Sequence, residues 1–226
     1  MVQTRTSPAR AAAGLNVNPA ANLAKEIISA KQVFQWTLEG KCYTAAIEPE
    51  TDSIAGQTAY DDTKQTYILT SDLTGSKIVI PISTIICAFD NTGTGIEYIS
   101  VNIIRSSLGT TVLRTLSGTD MTVTNNRLDL YGGQSATAYH TAASSTLDGT
   151  GDWTRIAHYG CESGTYLDTE NGMRGNTVFI NHLQHGAPLV LHKGSSLSVI
   201  YTSASTAPKC RVTFQWAELS ASDYLP

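Results

Sequence analysis

Two histidines stand three residues apart in "NHLQH", His182 and His185, a spacing that holds a metal ion when both side chains share one helical face. The surrounding "NTVFINHLQHGAPLVLH" reads instead as strand, turn and strand, which separates them. The other histidines, His140, His158 and His192, are scattered, and no His and Glu cluster of cupin type accompanies them. Asp148 and Asp152 in "LDGTGDW" bracket two glycines and could offer carboxylates to calcium, but EF-hand spacing and its closing Glu are missing, so a solvated turn is expected. Gly93 and Gly95 in "TGTG" lack the third glycine and the following helix of a nucleotide loop, and neither a P-loop nor a G-x-S-x-G elbow occurs. Cys42, Cys87, Cys161 and Cys210 form no C-x-x-C pair, and free thiols are expected in a chain this long. These residues predict no enzyme, no cofactor and no metal.

Binding chemistry is also sparse. Trp153 could form a sugar platform, supported by Tyr131, Tyr139 and Tyr159, although a Trp at the start of a strand is more often core or interface. Charged residues make up 15% of the 226 positions and the formal net charge is −4, so no positive field draws the chain to nucleic acid or anionic lipid. No apolar run approaches the length of a membrane span, and "MVQTRTSPARAAAGLNV" lacks a signal-peptide core. The chain is expected neither to span a membrane nor to leave the cell by a standard signal.

Residues 1–17 carry Ala, Ser, Pro, Arg and Asn without periodicity and read as an arm with no fold of its own. Its Arg5 and Arg10 would neutralise too few phosphates to hold a genome at ordinary salt. Asn18-Pro19 then caps a short amphipathic helix with Leu23, Ile27 and Ile28 on one face. Residues 1–31 thus form arm and helix, and residues 32–226 form an all-β body. Its predicted strands include "QVFQWTLEGKCYTAAI", "KQTYILTS", "KIVIPISTIICAF", "GIEYISVNIIRS", "TTVLRTL", "RLDLYG", "DWTRIAHYG", "NTVFINH", "PLVLHK", "LSVIYTS" and "KCRVTFQWAEL". Pro81 inside its run marks an edge or a bulge. The small-residue segment 132–151 reads as a long surface loop.

Phe-Gln-Trp occurs twice, at Phe34-Gln35-Trp36 and at Phe214-Gln215-Trp216, near either end of this body. If both lie on strands that pair antiparallel, one register sets Trp36 opposite Trp216, Leu38 opposite Phe214 and Cys42 opposite Cys210. First-to-last pairing belongs to a jelly roll, whose two Greek keys wrap so that its terminal strands lie side by side. The predicted fold is therefore a jelly-roll β-sandwich.

With its arm, short helix, β body and closing "SSLSVIYTSASTAPKCRVTFQWAEL", the sequence resembles viral structural proteins of the single jelly-roll type, such as phage capsid and decoration proteins. The resemblance implies a subunit of a virion that associates with copies of itself, with a trimer favoured, and with other capsid proteins. An arm as weakly basic as this one fits threading between proteins better than coating a genome, so direct nucleic-acid binding is not expected. The alternative reading is a carbohydrate-binding module that recognises a host glycan.

Overall fold

The computed structural model describes residues 32–47, 54–61, 64–72, 74–89, 96–104, 114–115, 119–147, 153–162, 175–183, 189–203 and 209–223. The arm with Arg5 and Arg10, and the helix expected over residues 18–32 apart from its last residue, lie outside them.

In chain order the elements are α1 (Gln32–Leu38), β1 (Cys42–Ala46), β2 (Ile54–Ala55), β3 (Lys64–Thr70), β4 (Lys77–Phe89), β5 (Ile96–Ile104), β6 (Arg114–Thr115) and β7 (Thr119–Asp120). They continue as β8 (Thr122–Asn125), β9 (Thr137–Leu147), β10 (Trp153–Glu162), β11 (Gly175–Asn181), β12 (Ser196–Thr202) and β13 (Lys209–Ser220), and a short 3-10 turn, Ala221–Asp223, follows. The strands form two antiparallel sheets. The first runs β11-β4-β13-β1-β8 with β2 beside β13, and the second runs β10-β5-β12-β3-β9-β6 with β7 beside β9. Eight of the strands pair in a nested way: β1 with β13, β3 with β12, β4 with β11 and β5 with β10.

Alternation explains how the sheets meet. In β13, Cys210, Val212, Phe214 and Trp216 face the second sheet, where Tyr67, Val199 and Tyr201 meet them in one buried cluster. The register of β13 slips at Gln215 and Trp216, which face Ser83 and Pro81, leaving Ile82 as the extra residue of a bulge. Pro81 thus sits where a strand can lack a donor, as its type predicts. Strand β12 is buried at every position, so the pattern "SLSVIYT" sits in the middle of its sheet and away from solvent on both faces.

Several elements depart from the sequence reading. The stretch "QVFQWTL" is a helix and not the start of a strand. It ends at Gly40 with φ +69°, where Gly40 N–H bonds Thr37 C=O at 2.9 Å and Lys41 N–H bonds Trp36 C=O at 2.8 Å. This left-handed cap needs no Cβ and lets the chain turn straight into β1. The helix lies on the outer face of the first sheet, where Trp36 joins Cys42, Ile78, Ile80, Ala217 and Leu219 in a second, smaller core.

The first-to-last pairing is present, but its register is Cys42 opposite Ala217, Tyr43 opposite Trp216 and Ala45 opposite Phe214. The proposed pairs Trp36–Trp216, Leu38–Phe214 and Cys42–Cys210 do not form. Helix α1 takes up Trp36 and Leu38 before the strand begins, so β1 meets β13 seven positions further on. Cys42 lies in the outer core and Cys210 in the inner one, on opposite faces of the same sheet.

The segment expected to be a loop from residue 132 contains β9. Its small side chains fit the sandwich: Ala136 and Ala138 are buried in the inner core, and β9 carries β3 on one side and β6 and β7 on the other. "RLDLYG" is a turn, opened by Arg127 N–H bonding the Asn125 side-chain oxygen at 2.9 Å and closed by Leu130 N–H on Arg127 C=O at 3.0 Å. The residues before it, unassigned from sequence, supply β7 and β8. "PLVLHK" contributes one isolated bridge, Leu191 to Val79, before the chain turns at Lys193 and Gly194.

Candidate functional site

Among the described residues, His158 and His182 line one groove, while His140 and His192 lie elsewhere. His182 is buried at the end of β11, with Nε2 2.9 Å from the Thr84 hydroxyl, while His192 sits in a turn with Nε2 3.0 Å from Gly75 C=O. His158 on β10 stacks against Tyr98 at 5.5 Å and 17°, and His140 lies on β9 opposite Tyr67. His185, Asp148, Asp152, Gly93 and Gly95 lie outside the described residues, as does the side chain of Trp153. Among the described residues no group of three or more His, Cys, Asp or Glu could hold a metal ion. Cys42, Cys87 and Cys210 are free thiols.

The sandwich offers two apolar surfaces. The first follows from α1. Residues advance about 100° per step on a helix, so Val33 and Trp36 share the face that packs on the sheet while Phe34 and Leu38 turn away from it. Trp36 is buried, whereas Phe34 and Leu38 are 58% and 57% exposed. The turn after β8 lies alongside. Arg127 Nη1 donates to Leu38 C=O at 3.0 Å, Asn125 Nδ2 donates to Gly40 C=O at 2.8 Å, and the Leu130 side chain closes against Gly40. Leu128 and Tyr131, 81% and 96% exposed, extend this surface. Arg127 is in turn held by Asp129 through Nε at 2.8 Å and Nη2 at 2.9 Å, and this pairing lowers the Asp129 carboxyl below its ordinary range.

The second surface is the side of the sandwich where β10 and β11 end their sheets. A groove of about 450 Å³ opens there, lined by Ile156, Ala157, His158 and Tyr159 of β10 with Ile180, His182 and Leu189. A bulge between Arg155 and Ala157 leaves Ile156 unpaired and half-exposed. Phe179 of β11 is more exposed still, on the outer side of its sheet. These lining residues include no carboxylate or thiol, and the titratable side chains among them are those of His158, Tyr159 and His182.

A residue that the sequence reading passed over anchors the chain from Gly133 to Ala136. Glu218 shares the inner face of β13 with Trp216, at the rim of the core, and is buried. Its carboxylate accepts from Trp216 Nε1 at 3.0 Å, from Ser135 N–H at 2.8 Å, from Ser135 Oγ at 2.9 Å and from Ala136 N–H at 2.9 Å. Lys77 Nζ, 3.2 Å from the same carboxylate, also donates to Gly133 C=O at 2.9 Å. One charge thereby ties the chain from Gly133 to Ala136 onto β4 and β13. The available signal was parity: an acidic residue two positions from a core Trp on a strand must face inward.

Of the residues singled out for strand pairing, Cys210, Phe214 and Trp216 lie in the inner core, Trp36 and Cys42 in the outer one, and Leu38 on the surface. Among the described residues these features define an all-β body of two antiparallel sheets with helix α1 laid on the first. No family model, no curated protein and no solved structure matches the chain. Among the described residues no helix is long and apolar enough to cross a membrane.

Proposed function

We propose that the chain is a virion structural protein without catalytic activity, a jelly-roll capsid or capsid-decoration subunit that assembles with copies of itself and with other shell proteins. The observation that carries the fold is the nested pairing, β1 with β13, β3 with β12, β4 with β11 and β5 with β10. A long four-pair hairpin rolled into two sheets has this order, as expected of two Greek keys in a jelly roll, an architecture common in shell proteins. Strands β2 and β6 to β9 are then insertions that widen both sheets. Assembly is favoured by two exposed apolar surfaces on a body of low charge, because contiguous exposed apolar patches mark interaction sites.

A glycan-binding role is the second reading, since lectin domains share this architecture. Tyr131, almost fully exposed beside Gly132 and Gly133, is the aromatic that favours it.

The mass of the purified chain by light scattering, with and without residues 1–17, separates the two readings. A defined oligomer or shell that loosens without the arm is expected. A monomer indifferent to the arm, together with retention on a sugar array, would overturn assembly in favour of glycan recognition.

A further inference from the structure

A strand at the edge of a sheet carries a free row of N–H and C=O groups, and folded chains ordinarily protect that row by shortness, a charge, a Pro or a bulge. Among the described residues the other outer strands have such protection. Strand β8 is four residues long, β6 and β7 are two residues each, and β10 is interrupted by the bulge at Ile156 and carries Arg155 and Glu162. Strand β11 has none of these features: its seven residues pair with β4 in unbroken register and include no charged residue and no Pro.

The phase of the β11 and β4 ladder decides which groups are free. His182 N–H donates to C=O of Ile82, the residue opposite it, at 2.9 Å, so the even-numbered residues of β11 are the ones that exchange bonds with β4. Thr177, Phe179 and Asn181 therefore turn N–H and C=O to the open side, where among the described residues no strand meets them. The apolar groove runs beside this same edge, and Phe179, 61% exposed, stands on its outer side.

We propose that β11 is a docking edge that takes up an extended, uncharged segment of a partner protein, apolar at alternate positions, as an added strand of the first sheet. The inference deepens the assembly reading and rests on it for the source of the segment, another shell protein. A row of donors and acceptors at strand spacing matches the backbone of an extended chain, whereas an apolar face laid over it would leave those groups unpaired. An added strand lies about 4.8 Å beyond β11, and its alternate side chains enter the groove between Ile180 and Leu189 on one wall and Ile156 and Tyr159 on the other. Its remaining side chains lie on the outer face beside Phe179. The absence of charge from β11 and of carboxylates from the groove lining sets the preference for an uncharged segment.

The test measures fluorescence anisotropy of a labelled synthetic peptide that alternates Val and Thr between terminal lysines, and of the same peptide with every backbone nitrogen methylated, against full-length chains. Three variants accompany wild type: Thr177→Pro, which removes an outward N–H and no bond to β4, Ile156→Glu, which puts a charge in the groove, and Phe34→Glu on α1. The expected result is binding of the unmethylated peptide alone, weakened about tenfold by Thr177→Pro, as the loss of one or two backbone hydrogen bonds gives, and similarly by Ile156→Glu. Phe34→Glu should bind like wild type, and circular dichroism should be unaltered in all three. Hydrogen exchange at Thr177, Phe179 and Asn181 should slow when the peptide is added. Equal binding of the methylated peptide, undiminished affinity in both Thr177→Pro and Ile156→Glu, or a wild type that binds neither peptide overturns the docking edge. Light scattering separates this from the assembly reading: an oligomer that binds no peptide loses the edge and keeps assembly, and a monomer that binds it keeps the edge and loses assembly.

Discussion

Tyr43 lies directly opposite Trp216 on neighbouring strands, and their rings stack with centroids 5.8 Å apart and planes at 27°. The contact joins the first strand of the body to the last, and Trp216 passes the connection on through its indole N–H to Glu218. Closure of the first sheet, inner-core packing and the position of the segment from Gly133 to Ala136 therefore meet at one fully buried side chain.

Trp216→Ala should lower unfolding free energy by about 3–5 kcal/mol, since it opens a cavity and removes the stacked partner of Tyr43. Trp216→Phe should cost less, because it keeps much of the apolar volume and loses the bond to Glu218. Urea unfolding measures both, and equal costs would mean that the ring volume contributes little.

Glu218→Ala should cost about 3–5 kcal/mol, because the Ser135 and Ala136 amides and the Trp216 indole would lose their acceptor together. Hydrogen exchange at Ser135 and Ala136 should accelerate more than at β12. Uniform acceleration would point to global unfolding alone.

Gly40→Ala should destabilise by about 1–2 kcal/mol, because the left-handed cap disfavours a side chain. The new methyl would also meet Leu130. Thermal unfolding reads the loss, and Leu130→Ala in the same background should recover part of it.

Stability should fall in alkali and stay level near neutrality. Burial raises the Cys42 thiol above its ordinary 9.0 and the Tyr67 phenol above its ordinary 10.0. Burial, followed by the charges of Glu218 and Cys42, raises Tyr43 in the same direction. The folded chain thus retains protons that the unfolded chain releases, so this contribution is complete below those ordinary values and is lost as the pH climbs past them. Tyr67→Phe should flatten the alkaline decline, at a cost near neutrality of about 0.5–1.5 kcal/mol for the hydroxyl bond to Cys210 C=O. Unfolding midpoints between neutral and strongly alkaline pH test this.

Cys42 and Cys210 should not crosslink under oxidant. They face opposite sides of the first sheet and lie roughly 24 Å apart along β13, counted as seven residues from Cys210 to Ala217, the partner of Cys42, at about 3.4 Å each. A disulfide between them in the folded chain, found by peptide mapping, would contradict the register.

The sequence by itself determined the all-β character of the body and the need for an edge or a bulge at Pro81, because alternation and backbone chemistry are local properties, whereas the pairing of first strand with last forms through residues other than those the sequence suggested. Only the tertiary structure decided the rest, as the repeated tripeptide illustrates. Phe214-Gln215-Trp216 lies in a strand between two neighbours, which puts Phe and Trp together in the inner core. Phe34-Gln35-Trp36 lies in a helix ended by Gly40, which sends Trp36 to the sheet and Phe34 to solvent. Three residues cannot choose between a period of two and one of 3.6. The choice falls to what packs against them: a pair of strands in one case, and the outer face of a finished sheet in the other. Segment 132–151 makes the same point, since its small residues become β9 only where β3 supplies a partner and the core has room for Ala138. The buried carboxylate of Glu218 gathers donors from three separate stretches of chain, which no short window of sequence brings together.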